Sequence, residues 1–268
     1  MRLAALRLLP IAAAVSFLLG CAASDSGKVV NSTSDFTGNW GFGISDPAGP
    51  FTIYSLTGAL SGKGANITGT FRATSTGCVS PTQDIAFTGS QTADGTLTLT
   101  STNLPNNIAT ISSIGNGLMP LTNQSALFFG GLEVTGSGPC AMGGIVLEGE
   151  EFAPLTGTYI GPITSTSGTT ANFTATLAQA AANSDGQFPE SGTITVAGAT
   201  CANVFSLTGL VAGSALTATL TPVSGPSATA TLTTGPPYGE TTNSLSFSMT
   251  ITGSGCNAGI YSGTLTMQ

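Results

Sequence analysis

The sequence predicts an all-β protein with two tandem, homologous antiparallel β-barrel or β-sandwich domains behind an N-terminal export signal. Apolar and hydroxyl residues alternate in segments such as 96–100 and 245–251, and a period of two is typical of half-buried strands. Turn dipeptides such as Asp94-Gly95 and Asp185-Gly186 separate such segments. The same landmarks also recur in the same order about 120 residues apart, which indicates a duplicated unit.

The repeat sets the domain organisation. Each half opens with an apolar-Thr-Gly-x-aromatic motif, which ends at Trp40 in the first half and at Tyr159 in the second. A period this long is the size of an independent domain rather than of a solenoid repeat. We therefore expect a first β domain over residues 35–152 and a second over residues 153–268. Regular short strands with turns favour a barrel or a sandwich, and the sequence leaves these two open.

The N-terminus has the layout of a secretory signal. Arg2 and Arg7 precede an apolar run at residues 8–19, LLPIAAAVSFLL, which is short for a membrane span. Residues 1–20 are therefore predicted to be a signal peptide, and the polar, Ser-containing residues 21–34 a tether. An ordinary signal peptide cleaved near Ala22 is the alternative to the interpretation that follows.

Leu18-Leu19-Gly20-Cys21 resembles the lipobox of bacterial lipoproteins. The resemblance implies cleavage before Cys21 and acylation, including palmitate, of its thiol and new amino group. Several acyl chains make a stable membrane anchor, whereas one alone is marginal. Ala22, where inner-membrane lipoproteins of proteobacteria have Asp, implies a cell outer membrane location.

The remaining cysteines agree with export. Cys78, Cys140, Cys201 and Cys256 are even in number, which in an oxidising compartment indicates two disulfide bonds. Four cysteines allow three pairings. The repeat favours one bond within each half, Cys78–Cys140 and Cys201–Cys256, while a bond that crosses the halves, such as Cys78–Cys201, is the competing pairing.

A second resemblance concerns the opening motif of each half. Gly38-Asn39-Trp40 resembles the first-strand Gly-x-Trp of calycin-type barrels, the lipocalins and avidins, and Gly157-Thr158-Tyr159 stands in the same place in the second half. The resemblance implies that Trp40 and Tyr159 are barrel-floor aromatics. The sequence departs from that family because no late arginine is present to pack on Trp40. The alternative is that Trp40 is a core anchor of any β-sandwich.

The composition excludes several chemistries. Charged residues are 6% of the chain, histidine is absent, and the net charge of −7 becomes −9 when Arg2 and Arg7 are removed with the signal peptide. Without histidine, Ser-His-Asp and Cys-His nucleophiles and the usual zinc sites cannot be built. Three remaining cations cannot neutralise a phosphate backbone. We therefore expect no catalytic residue, no metal, no cofactor and no nucleic-acid partner.

The acidic cluster at Glu148, Glu150 and Glu151 is the exception to this low charge. It could form a cation site or the carboxylate pair of a glycan-acting enzyme. The alternative is a solvated strand end with charges that blunt an exposed edge. Strand alternation predicts that Glu148 and Glu150 share a side while Glu151 faces away.

These observations predict a secreted, lipid-anchored cell-envelope protein with a non-catalytic binding or structural role. Its expected partners are the membrane, through the lipid on Cys21, and either a small apolar ligand or an envelope or glycan partner. A carboxylate-dependent glycan-acting enzyme is the alternative. A membrane-spanning barrel is disfavoured because the aromatic residues do not form the expected girdles.

Overall fold

A computed structural model describes most of the chain beyond the tether. No helix within this part has the length and apolar character needed to cross a bilayer. The residues that the structure describes are 35–44, 55–73, 80, 83–104, 106–120, 126–137, 141–197, 204–223, 229–234, 244–252 and 258–268.

Sixteen strands form two closed antiparallel barrels of eight strands each, which confirms the all-β class and selects barrels over sandwiches. In each barrel every strand pairs with the next in the chain, and the last pairs with the first. Barrel one contains β1 Gly38–Ile44, β2 Ser55–Lys63, β3 Asn66–Ala73, β4 Asp84–Gln91, β5 Leu97–Ser101, β6 Asn107–Pro120, β7 Ala126–Gly136 and β8 Met142–Phe152. Barrel two contains β9 Gly157–Ser165, β10 Thr170–Gln179, β11 Phe188–Ala197, β12 Val204–Ala212, β13 Ala215–Pro222, β14 Thr229–Thr234, β15 Ser244–Thr252 and β16 Gly259–Met267.

The strands follow from the alternation of apolar and hydroxyl side chains. In β13 Leu216, Ala218 and Leu220 are buried, while the threonines between them are exposed. Threonine is β-branched and packs well on a pleated surface that is half buried. The hydroxyl residues therefore coat the outside of the barrel, and the apolar residues fill its inside.

Each barrel has its own hydrophobic core. In barrel one, five phenylalanines and Trp40 belong to one buried cluster with the inward-facing aliphatic side chains. The ring of Phe42 lies 5.9 Å from Trp40, 5.4 Å from Phe71 and 5.5 Å from Phe128, measured between ring centroids. Barrel two has a second cluster, in which Phe173 and Phe247 are 4.9 Å apart. An eight-stranded barrel has an interior just wide enough for side chains to fill.

The two barrels share the same strand order and, across their first four strands, the same register; barrel one has register shifts between β6 and β7 and between β7 and β8 that the corresponding described strands of barrel two lack. Residues opposite one another in the first four strands of barrel one are Trp40, Gly58, Phe71 and Ile85. Their counterparts in barrel two are Tyr159, Ala175, Ile194 and Phe205. This register aligns residues 67–71 of barrel one with residues 190–194 of barrel two.

Candidate functional site

Trp40 lies inside barrel one close to the end at which β1 begins, which we call the near end of the barrel. Its side chain is buried, and its Nε1–H donates a hydrogen bond of 2.9 Å to the carbonyl oxygen of Phe36. The buried Phe36 ring lies 6.0 Å from the indole. The backbone N–H of Phe36 in turn donates to the carbonyl oxygen of Gly62, at the end of β2. The segment before β1 is thereby held across the near end.

Tyr159 has the corresponding position in barrel two. It is fully buried, and Leu155 precedes it as Phe36 precedes Trp40. The backbone N–H of Leu155 donates to Oε1 of Gln179, a side chain at the end of β10. Unlike the indole of Trp40, the Tyr159 hydroxyl makes no hydrogen bond to any described residue. Burial, and after it the charge of Glu190, raises the pKa of Tyr159.

Glu190 is a carboxylic acid in the core of barrel two. Its exposure is 2%, and neither carboxyl oxygen has a hydrogen-bond partner of good geometry among the described residues. Burial raises its pKa to about 7, although the backbone N–H of Ala178 partly offsets the rise. The common register places Ile67 at the same position in barrel one. Sequence reasoning missed Glu190, although it is in the inward phase of Phe188 and Ile194.

The Glu190 carboxyl and the Tyr159 hydroxyl are two titratable groups in the interior of barrel two. Near pH 7 the carboxyl of Glu190 is divided between its neutral and charged forms, and the neutral form suits an apolar interior. A metal centre needs more ligands, and the described residues contain no group of three or more acidic or cysteine side chains that could supply them. Glu190 and Tyr159 are therefore a buried titratable pair.

The near end of barrel two lies against the outer wall of barrel one. Asn39, which points outward from β1, is 1% exposed. Its Nδ2 donates to the carbonyl oxygen of Gly213 at 2.8 Å, and its Oδ1 accepts from the backbone N–H of Gly213 at 2.9 Å. Gly213 has φ of +56° in the turn between β12 and β13. Ala59 and Phe152 of barrel one also pack against the core of barrel two.

Arg72 forms the charged part of this junction. Its Nε lies 2.6 Å from Oδ1 of Asp84 on the neighbouring strand, and its Nη2 lies 3.0 Å from Oδ2 of Asp185 in barrel two. Its Nη1 donates to Oε1 of Gln187 at 3.2 Å. Gly186 lies between Asp185 and Gln187 in the chain, and a Cβ at this position would overlap the carbonyl oxygen of Thr70. The loop from β10 to β11 is therefore seated closely on β3.

The acidic cluster divides between the two faces of β8. Glu151 lies opposite the inward-facing Trp40, whereas Glu150 and Glu148 lie opposite Gly41 and Gly43 on the outer face. Burial, and after it the charge of Asp35, raises the pKa of Glu151 to about 7. The three carboxyl groups thus do not face one common site: Glu148 and Glu150 share the outer face, and Glu151 lies on the inner one.

The cysteines lie outside the described residues. This holds for the predicted lipid attachment at Cys21 and for Cys78, Cys140, Cys201 and Cys256, so both disulfide bonds stay predictions. The strands β3 and β7, which precede Cys78 and Cys140 in the chain, both end at the end of barrel one opposite the near end.

Comparisons with known proteins give no family for the chain. No protein-family profile matches the sequence, and no curated protein matches it. Among solved structures, the chain is similar to a protein of unknown function from the DUF3598 family of Nostoc punctiforme. The similarity covers 87% of this chain and 96% of that protein at 11% sequence identity, with a TM-score of 0.26.

Proposed function

We propose that this protein is a lipid-anchored cell-envelope protein whose two barrels have a non-catalytic role and contact their partners through outer surfaces. The observation that carries the proposal is the state of the two interiors. In each barrel the inward-facing side chains form one contiguous buried cluster. A lumen occupied by side chains offers little volume to a small apolar ligand, so the hydroxyl-coated exterior is the surface available for binding.

The junction between the barrels supports a structural role. Two hydrogen bonds at Asn39, the contacts of Arg72 and the packing of Phe152 join the barrels at several separate points. Contacts between elements from both barrels restrict their relative motion more than a linker alone does. A pair of barrels joined in this way can hold the outer surfaces of the two barrels at a fixed orientation relative to each other.

The anchor part of the proposal rests on the lipobox resemblance at Cys21. Acylation would retain the protein in the membrane through several chains, each stabilised by burial of its methylene groups. The preference for the outer membrane rests on Ala22 after the cysteine. The calycin resemblance remains part of the same proposal, with Trp40 and Tyr159 as the aromatic residues that close each barrel.

Metabolic labelling with a palmitate analogue tests the anchor directly. The full chain should incorporate the label and sediment with the membrane fraction, and Cys21→Ser should abolish both. Cys78→Ser is the matched control, because it removes a thiol without altering the lipobox. Label that persists in Cys21→Ser would refute the anchor, and soluble, unlabelled wild-type protein would refute the lipid-anchored assignment as a whole.

A further inference from the structure

The outer face of β7 and β8 in barrel one has features that intramolecular packing does not explain. Phe129 and Val146 project from it and are 37% and 56% exposed. Phe129 lies opposite Glu148, and Val146 lies opposite Gly131 one row further along the same two strands. The two apolar side chains are therefore diagonal neighbours on one surface, within reach of a single ligand.

Glycines flank these side chains where no contact within the barrel requires a glycine. A Cβ at Gly43 would meet no atom of the described residues within 4 Å; the same holds for Gly143 and Gly144, but these two lie at the register shift between β7 and β8, where a bulge accounts for glycine. One at Gly131 would meet only the carbonyl oxygen of Ile145, at an ordinary 3.6 Å. Glycine within a strand weakens it, and often marks a place where a ligand or another backbone approaches closely.

At most other described glycines of barrel one, contacts inside the barrel leave no room for a side chain. A Cβ at Gly58 or Gly89 would overlap a carbonyl oxygen of the neighbouring strand, and one at Gly149 would overlap the ring of Phe42. Among the described strand glycines of barrel one, the two with no internal reason are therefore Gly43 on β1 and Gly131 on β7, beside Phe129 and Val146. This placement indicates an external contact rather than a general tolerance of the chain for glycine.

The charge of this face indicates the partner. Glu148 beside Phe129 and Glu133 further along β7 project from it, and no described residue forms an ion pair or hydrogen bond with either carboxylate. The described cations, Lys63 and Arg72, lie on β2 and β3. An acidic surface with an exposed aromatic ring suits a cationic group, which the carboxylates and the face of the ring attract together.

We propose that the outer face of β7 and β8 binds an extended, lysine- or arginine-bearing segment of a partner protein. Along β7, Glu133 lies four positions after Phe129, the residue opposite Glu148, a distance of about 13 Å in a strand. Residues i and i+4 of an extended peptide span the same distance and point to the same side. Two basic residues four positions apart reach both carboxylates, and an apolar residue midway contacts Phe129 and Val146.

The proposal deepens the non-catalytic binding role proposed above, but its test is independent of the anchor. The full chain in detergent is titrated with a seven-residue peptide that has two lysines four positions apart and a leucine midway. A peptide of the same composition with adjacent lysines is the register control. We expect the spaced peptide to bind at least fivefold more tightly, with an affinity that falls as salt rises.

Variants locate the binding. Glu133→Gln with Glu148→Gln should weaken the spaced peptide at least tenfold, whereas Asp94→Asn, which removes an exposed carboxylate elsewhere, should leave it unchanged. Gly131→Thr should block binding while the barrel stays folded, because its side chain enters open space. Equal binding of the two peptides, no measurable binding, or binding unaffected by these substitutions would overturn the proposal.

A neutral hexamer of N-acetylglucosamine distinguishes a glycan partner. The proposal predicts that the hexamer does not bind at this face, so Gly131→Thr should leave any binding of the hexamer unchanged. Hexamer binding that this substitution abolishes, together with failure of the peptide, would assign the face to a glycan and refute the cationic-segment proposal. Neither result alters the outcome of palmitate labelling, so failure of this inference and failure of the proposed anchor can be told apart.

Discussion

Replacement of Glu190 tests whether a charged group in the core of barrel two limits its stability. The folded state raises the pKa of this carboxyl from 4.5 to about 7. A carboxyl whose pKa is raised by folding gives stability that is complete below the unfolded pKa and is lost as the pH rises toward the folded pKa. At 1.36 kcal/mol for each pH unit, the wild-type protein should lose about 3 kcal/mol between pH 4.5 and pH 8 through this group.

Glu190→Ile introduces the residue that barrel one has at the same position, and Glu190→Gln retains the shape without the titrating group. Urea unfolding from pH 4.5 to pH 8, followed by far-UV circular dichroism, measures the difference in unfolding free energy from wild type. That difference should grow by about 3 kcal/mol with pH for both variants. Fluorescence of Trp40 reports barrel one and should show a smaller change. A difference that stays constant across this pH range would refute the argument.

Other substitutions test the junction and the strands. Asn39→Ala removes both hydrogen bonds to Gly213 and should cost about 2 kcal/mol in urea unfolding and speed hydrogen exchange at the Gly213 amide; unchanged exchange would contradict the contact. Arg72→Met should cost less than about 1 kcal/mol, because its ion pairs are partly exposed and solvent screens them. Gly58→Val should cost more than about 3 kcal/mol in thermal or urea unfolding, because its side chain would overlap the next strand. Gly131→Thr should retain wild-type stability or gain up to about 1 kcal/mol, since its side chain enters open space in a strand; a loss above that size would show that the position is packed.

The sequence predicted the barrels through features that act locally. Alternation along β13 places Leu216 and Leu220 inside, and this follows from strand geometry whatever the neighbouring strands are. Trp40 and Tyr159 could be matched because both end the same short motif at the start of a half. Closure into a barrel could not be derived in this way, because a sandwich would satisfy the same alternation and the same turns.

The features that are harder to predict from the sequence depend on contacts between residues far apart in the chain. Asn39 is in the outward phase of β1, and only the approach of Gly213, 174 residues away, makes it buried. Glu190 could have been found, because its inward phase is visible in the sequence beside Ile194. The glycines of β7 and β8 could not be separated from the many other glycines without coordinates to show which of them have room for a side chain.

The contact of barrel two with the outer wall of barrel one coincides with places where equivalent positions of the two barrels differ. Barrel one contributes its outer wall to the contact and barrel two contributes its near end, so equivalent positions of the two barrels make different contacts. Thr158 stands where Asn39 stands in barrel one, and the short turn at Gly213 replaces the longer one around Asp94. The two barrels are therefore not interchangeable: exchanging their order would remove the Asn39–Gly213 contact, although each barrel would still close on itself.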